Sequence, residues 1–146
     1  WTIGGEAGYG IMTVGIMMSK IFTRLGLSVF DYVEYPSPIR GGHNAYYVRA
    51  SDVEIFCQKR PIDILVALNR ETIDKHKHEL SKEALIVYDP NVTKIEPSEF
   101  QSQTLIPVPL LEITKQVNAD RLMINTVSVG ASLAAAWRET RAQRKP

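Results

Sequence analysis

Residues 62–68, Ile-Asp-Ile-Leu-Val-Ala-Leu, form a nearly continuous apolar run. A run of this kind fits a strand covered on both faces, not one alternating between core and water. Such strands belong to mostly parallel sheets lying between helices, and the rest of the chain reads the same way. Trp1-Thr2-Ile3 is a short strand leading into Gly4-Gly5-Glu6-Ala7-Gly8-Tyr9-Gly10. Ile11, Val14, Met18, Ile21, Phe22 and Leu25 keep the spacing of a helix with a broad buried face, which Gly26 ends. Leu27 to Val33 reads as a strand, completing a βαβ unit expected to set two parallel strands side by side. Asn44 to Ala50 and Val53 to Phe56 predict a hairpin. Asn69 caps a polar, outward-facing helix over 70–80, and Ala84 to Tyr88 is another buried strand. Leu105 to Pro109 is a strand whose prolines suit a sheet edge. Leu110 to Gln116 makes a short helix, and Asn125 to Trp137 a longer one rich in small residues. The expected fold is α/β: a single three-layer domain over residues 1–146 with a mostly parallel, Rossmann-like sheet and helices on both faces.

The bulk numbers exclude several function classes. With 17 Lys and Arg against 16 Asp and Glu, the net charge is +1, which leaves no footprint for nucleic acid or an anionic membrane surface. No stretch approaches the ~20 apolar residues that span a bilayer. Cys57 is the single cysteine, so no disulfide framework, zinc site or iron–sulfur cluster can be built from this chain's thiols. Following Ile55-Phe56, it reads as a small buried hydrophobe. A reducing cytoplasm is the simplest compartment. The chain opens at Trp1, inside a strand, and stops in a basic tail; it reads as a piece of a longer protein carrying part of an active site.

Two loops carry the chemistry. Tyr35-Pro36-Ser37-Pro38-Ile39-Arg40-Gly41-Gly42-His43-Asn44 holds two prolines and two adjacent glycines, so it is a shaped loop and neither a regular helix nor a central strand. Its hydroxyl, guanidinium and imidazole suit a small carboxylate or phosphate. The competing reading is a structural turn whose polar groups cap nearby backbone. The second loop, Gly5-x-x-Gly8-x-Gly10, sits between the first strand and the first helix, where backbone amides favour an anion. Gly5, Gly8 and Gly10 are therefore candidate cofactor contacts. Their order is not the Gly-x-Gly-x-x-Gly dinucleotide fingerprint, and no lysine follows Gly10 as a P-loop requires. His76 and His78, two apart on a helix, point in different directions and read as solvated. Asn125 either caps backbone or meets the glycine loop. No nucleophile–base pair and no acid–base carboxylate pair is evident, so the difficult chemistry is expected to come from elsewhere.

Gly4 to Ile11, Tyr35 to Asn44 and Asp63 to Asn69, in that order and at those distances, resemble the gamma-type domain of the 2-oxoacid:ferredoxin oxidoreductases. The form in which that domain opens a longer alpha subunit is the nearer match, and the 2-oxoglutarate branch the nearest within it. The resemblance covers nearly the whole chain; Tyr9 departs from it, standing where members more often carry Gln. It implies a cytoplasmic, multisubunit enzyme that decarboxylates a 2-oxoacid to an acyl-CoA and passes electrons to ferredoxin. Thiamine diphosphate, Mg2+, iron–sulfur clusters and coenzyme A would be held with other domains or subunits (alpha and beta), and the isolated domain would be inactive. Ser37, Ile39, Arg40, Gly41, Gly42 and His43 would face the 2-oxoacid and a subunit contact. Ser37, Ile39 and Arg40 would shape or polarise the pocket, while Gly41 and Gly42 would let backbone approach. The rival readings are a non-catalytic assembly module of that complex and an independent nucleotide-binding α/β protein.

Overall fold

A computed structural model of the chain describes residues 1–35, 42–118, 120 and 123–143, the last six by backbone alone. Six strands form one sheet: β1 (Thr2–Glu6), β2 (Ser28–Glu34), β3 (His43–Ser51), β4 (Ile62–Ala67), β5 (Leu80–Tyr88) and β6 (Thr104–Pro107). Four α-helices accompany them: α1 (Ile11–Arg24), α2 (Arg70–His76), α3 (Leu110–Gln116) and α4 (Ile124–Gln143). The strand order is β2-β3-β1-β4-β5-β6. The ladders β1·β4, β4·β5 and β5·β6 are parallel, whereas β3 runs antiparallel to both β1 and β2. Every strand except β3 therefore points the same way.

The apolar run at 62–68 is the strand it promised: Leu65, Val66 and Ala67 are fully buried. Its side chains divide between two cores. On one face, α1, α3 and α4 cover Ile3, Tyr46, Val48, Val66 and Val87 with Val14, Met18, Leu110 and Val129. On the other, α2 places Ile73 against Ala67 and Tyr88, beside a second cluster of Ala45, Tyr47, Ile62 and Leu65. Helices thus cover both faces, and the three-layer α/β expectation holds.

Helix α1 approaches the sheet closely because Gly15 has no side chain. A Cβ there would stand 2.1 Å from Tyr46 Cγ, far inside contact distance. Asn69 caps α2 as expected, accepting from Thr72 N–H at 3.0 Å. The helix is shorter than its polar run suggests: it gives way to a 3-10 turn at Lys77–Glu79, and β5 already begins at Leu80. β6, with its proline, is an edge strand.

Three expectations are corrected. β1 and β2 are parallel but not neighbours, because β3 inserts between them and satisfies the backbone of both. The hairpin from Asn44–Ala50 to Val53–Phe56 does not form. Both edges of β3 are already taken, and residues 53–56 run outside the sheet, with Ile55 N–H donating to Ser28 Oγ at 3.2 Å. Cys57 is exposed for the same reason; with no strand to carry it inward, its carbonyl accepts from the Arg49 guanidinium at 2.8 Å.

Candidate functional site

Five strands end on one edge of the sheet, and the antiparallel β3 begins there at His43. β2 therefore ends and β3 begins at the carboxyl edge, where ligands sit in open α/β sheets. Ser37, Ile39, Arg40 and Gly41 fall within residues 36–41, outside the described residues. The two ends of the link are placed. Tyr35 Oη donates to Met12 Sδ, on the first turn of α1, at 3.7 Å. Gly42, with φ 124°, offers its carbonyl to Ala7 N–H at 3.0 Å. The Pro/Gly loop and the glycine loop are thus joined through the backbone.

β1 runs on through Gly5, so the glycine loop proper begins beyond Glu6. Gly5 pairs with Asn44, and its Cα face is packed by Ile11 and Leu68. Gly8 is on the loop itself, at φ 95°. Gly10, at φ 67°, is the N-cap of α1 and receives no side-chain cap. The Asn125 amide packs against Gly10 Cα, and Nδ2 donates to the Tyr9 carbonyl at 2.8 Å. Of the two roles open to Asn125, the tether to the glycine loop is the one seen.

His43 takes the opposite face. It is 5% exposed and lies against α2. Gly4 makes room for it: a Cβ there would stand 2.8 Å from His43 Cε1 and 2.5 Å from Thr72 Cγ2. His43 Nε2 lies 2.8 Å from His76 Nε2. His76 is equally buried, at 5%, which corrects its reading as a solvated residue; His78 is exposed. α2 turns Thr72, Ile73 and His76 inward, an i, i+1, i+4 stripe that the surrounding charges hid. His76 Nδ1 meets Glu79 Oε2 at 3.0 Å and Tyr47 Oη at 3.4 Å. Tyr47 Oη donates to Glu34 Oε2 at 3.1 Å, and Tyr32 Oη to Glu34 Oε1 at 3.2 Å. The Tyr32 and Tyr47 rings stack at 4.6 Å between centroids. A cleft of about 580 Å³, lined by Glu34, Tyr35, His43, Tyr47, Lys75, His76 and Glu79 among others, opens over this group.

Burial sets the electrostatics. Desolvation, followed by the neighbouring His76 and Lys75, pushes His43 down to about 4, against the opposing pull of Glu71 and Glu34. Desolvation first, then Glu34, pushes Tyr32 up to about 12 and carries Tyr47 above the ordinary phenol range. At neutral pH His43 is uncharged and both phenols keep their protons. Residues of α2 and its 3-10 turn were not among the sequence candidates. Their signal was the inward spacing of Thr72, Ile73 and His76.

Residues 1–140 match the family model for pyruvate ferredoxin/flavodoxin oxidoreductase. The chain belongs to that family. Among oxidoreductase relatives, a 2-oxoacid:ferredoxin oxidoreductase subunit alpha from a Sulfolobus species is 32% identical over 98 residues, covering 66% of this chain and 15% of the relative. The chain therefore spans about a seventh of the length of such curated relatives. The 2-oxoglutarate:ferredoxin oxidoreductase of Magnetococcus marinus, solved with 2-oxoglutarate, coenzyme A and succinyl-CoA bound, superposes with a TM-score of 0.78 at 29% identity, over 88% of this chain and 23% of that one. The gamma subunit of a keto/oxoacid ferredoxin oxidoreductase from Geobacter sulfurreducens shares the fold at a TM-score of 0.75 and 21% identity, over 99% of this chain and 83% of that subunit. The family assignment read from the three motifs is borne out, and the homologues are subunits of 2-oxoacid:ferredoxin oxidoreductases.

Proposed function

We propose that this chain is the gamma-type domain of a 2-oxoacid:ferredoxin oxidoreductase, and that Ser37, Ile39 and Arg40 of its Pro/Gly loop shape or polarise the 2-oxoacid pocket at a contact with another subunit or domain. The observation that carries this reading is the Ala7–Gly42 hydrogen bond. It pins the end of a loop containing Ser37 and Arg40 to the glycine loop, at the carboxyl edge of the sheet. The guanidinium of Arg40 and the hydroxyl of Ser37 have the chemistry that suits a small carboxylate, and donors of that kind held in place would orient a substrate with little reorganisation. Gly41 and Gly42 would let backbone approach the partner.

No set of three or more His, Cys, Asp or Glu among the described residues could hold a metal, and one exposed thiol cannot ligate a cluster. On this reading thiamine diphosphate, Mg2+, the iron–sulfur clusters and coenzyme A belong with other parts of the complex, as the family resemblance implies, together with ferredoxin docking. Decarboxylation and electron transfer are chemistry that those groups supply when bound; this domain binds and orients. The domain is read as cytoplasmic. Among the described residues no helix is long and apolar enough to cross a membrane.

The test is Arg40→Ala in the assembled complex. A rise in KM for the 2-oxoacid or a loss of kcat of tenfold or more, with assembly intact, supports the substrate role. Weakened subunit association with unchanged turnover would instead make the loop an interface anchor.

A further inference from the structure

Among the described residues α2 is the one α-helix on its face of the sheet, where it meets β1, β3 and β4. Toward β2, at the amino edge, the irregular segment 52–61 lies there instead. That segment is fastened at three points. Ile55 N–H donates to Ser28 Oγ at 3.2 Å, the Cys57 carbonyl accepts from Arg49 Nη1 at 2.8 Å, and Arg60 pairs with Glu79 at 2.8 Å. Between its 58–61 stretch and strands β2 and β3 is a cavity of about 520 Å³. Arg49, Lys59 and Arg60 line this cavity, and Asp63 is the one carboxylate among its described lining residues. Glu79 already offsets Arg60. Arg49 and Lys59 have no carboxylate within ion-pair distance among the described residues, so positive charge is in surplus. Arg49 is half-buried. Of its guanidinium nitrogens only Nη1 is engaged, by the carbonyl and sulfur of Cys57. A guanidinium drawn partly out of water onto neutral partners favours an anion beside it.

We propose that this cavity binds a phosphomonoester, with the phosphate held by Arg49 and Lys59 and the body of the ligand against Tyr32 and Leu27. A phosphomonoester carries nearly two negative charges at neutral pH and three acceptor oxygens. It therefore meets the surplus of cations better than a single carboxylate does. The unengaged Nε and Nη2 of Arg49 are a pair of donors of the kind that grips phosphate in a fork. Lys59 adds a point charge on a flexible stem. A phosphate alone fills a small part of the space, and the volume lies within the range of roughly 300–1,000 Å³ typical of small-molecule sites. Tyr32 and Leu27 in the lining supply apolar wall for the remainder. The Tyr32 ring is a fixed surface, because it is stacked on Tyr47 at 4.6 Å between centroids. Arg49 is held on β3 and the 57–60 stretch is pinned at both ends, so the cations need little ordering when the anion arrives. The site lies at the amino edge of the sheet, away from the Pro/Gly loop. It goes beyond the oxidoreductase reading and does not rest on it.

Calorimetric titration of the full-length protein tests this without turnover, with AMP, inorganic phosphate and adenosine as the three probes. AMP is expected to bind saturably, and adenosine, which lacks the phosphate, at least tenfold more weakly. Arg49→Gln and Lys59→Gln should each weaken AMP, the first by tenfold or more because it removes the fork. Lys59 is exposed and unpaired, so its variant keeps the test open if Arg49→Gln fails to fold. Absence of saturable binding by both AMP and inorganic phosphate would overturn the site. So would adenosine binding as tightly as AMP, or AMP binding unmoved in both folded variants. Inorganic phosphate binding as tightly as AMP would support the anion site and overturn the part assigned to Tyr32 and Leu27. A complex without 2-oxoacid activity would count against the enzyme assignment alone and leave the titration result standing.

Discussion

Asn125 Nδ2 donates to the carbonyl of Tyr9 at 2.8 Å across 116 positions of sequence, so the start of α4 holds the tip of the glycine loop. Asn125 is 7% exposed, which makes this a largely dry hydrogen bond. Its loss leaves a loop carbonyl and the uncapped start of α1 less well fixed. Asn125→Ala should lower the stability of the full-length protein by about 1–2 kcal/mol. Asn125→Asp should lower it further, because it sets a carboxylate oxygen against the carbonyl. Thermal unfolding midpoints of the two variants, measured side by side, check the order. Equal midpoints for wild type and both variants would show that the tether carries no weight.

Two helical glycines should respond to the same substitution with opposite signs. At Gly15 a methyl group would collide with the Tyr46 ring, and at Gly130 it would meet nothing. Gly15→Ala is expected to destabilise by about 1–3 kcal/mol through forced repacking of α1 on β3. Gly130→Ala should be neutral or stabilise by up to about 1 kcal/mol through helix propensity. Urea unfolding midpoints give the comparison directly.

His43 predicts a pH dependence of stability. Its folded value lies near 4, below the ordinary 6.5, so between those limits the unfolded chain binds the extra proton. Stability contributed by this site is therefore complete above about pH 6.5 and is lost as the pH falls toward 4. The loss is at most on the order of 3 kcal/mol. The slope of urea midpoint against pH over that interval should flatten in His43→Gln. A slope unchanged by that substitution would place the dependence on other groups.

Arg70 ties the 94–99 segment to α2. Its guanidinium bonds Asp74 at 2.9 Å, Glu99 at 2.5 Å and the Lys94 carbonyl at 2.9 Å. Hydrogen bonding to Arg70 first, then to the Glu96 backbone, holds Glu99 down to about 2. Its contribution is present above about pH 4.5 and is lost as the pH falls toward 2. Because the group is open to water, Arg70→Ala should cost no more than about 1 kcal/mol. That cost should shrink in high salt, which denaturation at two ionic strengths would reveal.

How much of this was legible beforehand depends on the range of the interaction involved. The both-face apolar run at 62–68, the Asn69 cap, the Gly26 stop and the edge prolines near β6 are local signals, and each is realised where it was read. The three motifs were enough to identify the family. Strand neighbours were not legible. Residues 44–50 have the character of a strand whatever their partner, and only the closed sheet shows β3 bonded on both sides and residues 53–56 left outside. Cys57 went out with them.

The candidate site divides in the same way. The sequence alone determined that a proline- and glycine-shaped loop carries Ser37, Arg40 and His43, because φ restriction and residue chemistry are properties of the residues themselves. It also determined an α/β fold, because hydrophobic periodicity reports which faces are covered. Only the tertiary structure decided that His43 turns toward α2 and pairs with His76. A hydrogen bond between positions 33 apart depends on β3 and α2 meeting over Gly4, where the absence of a side chain leaves the room.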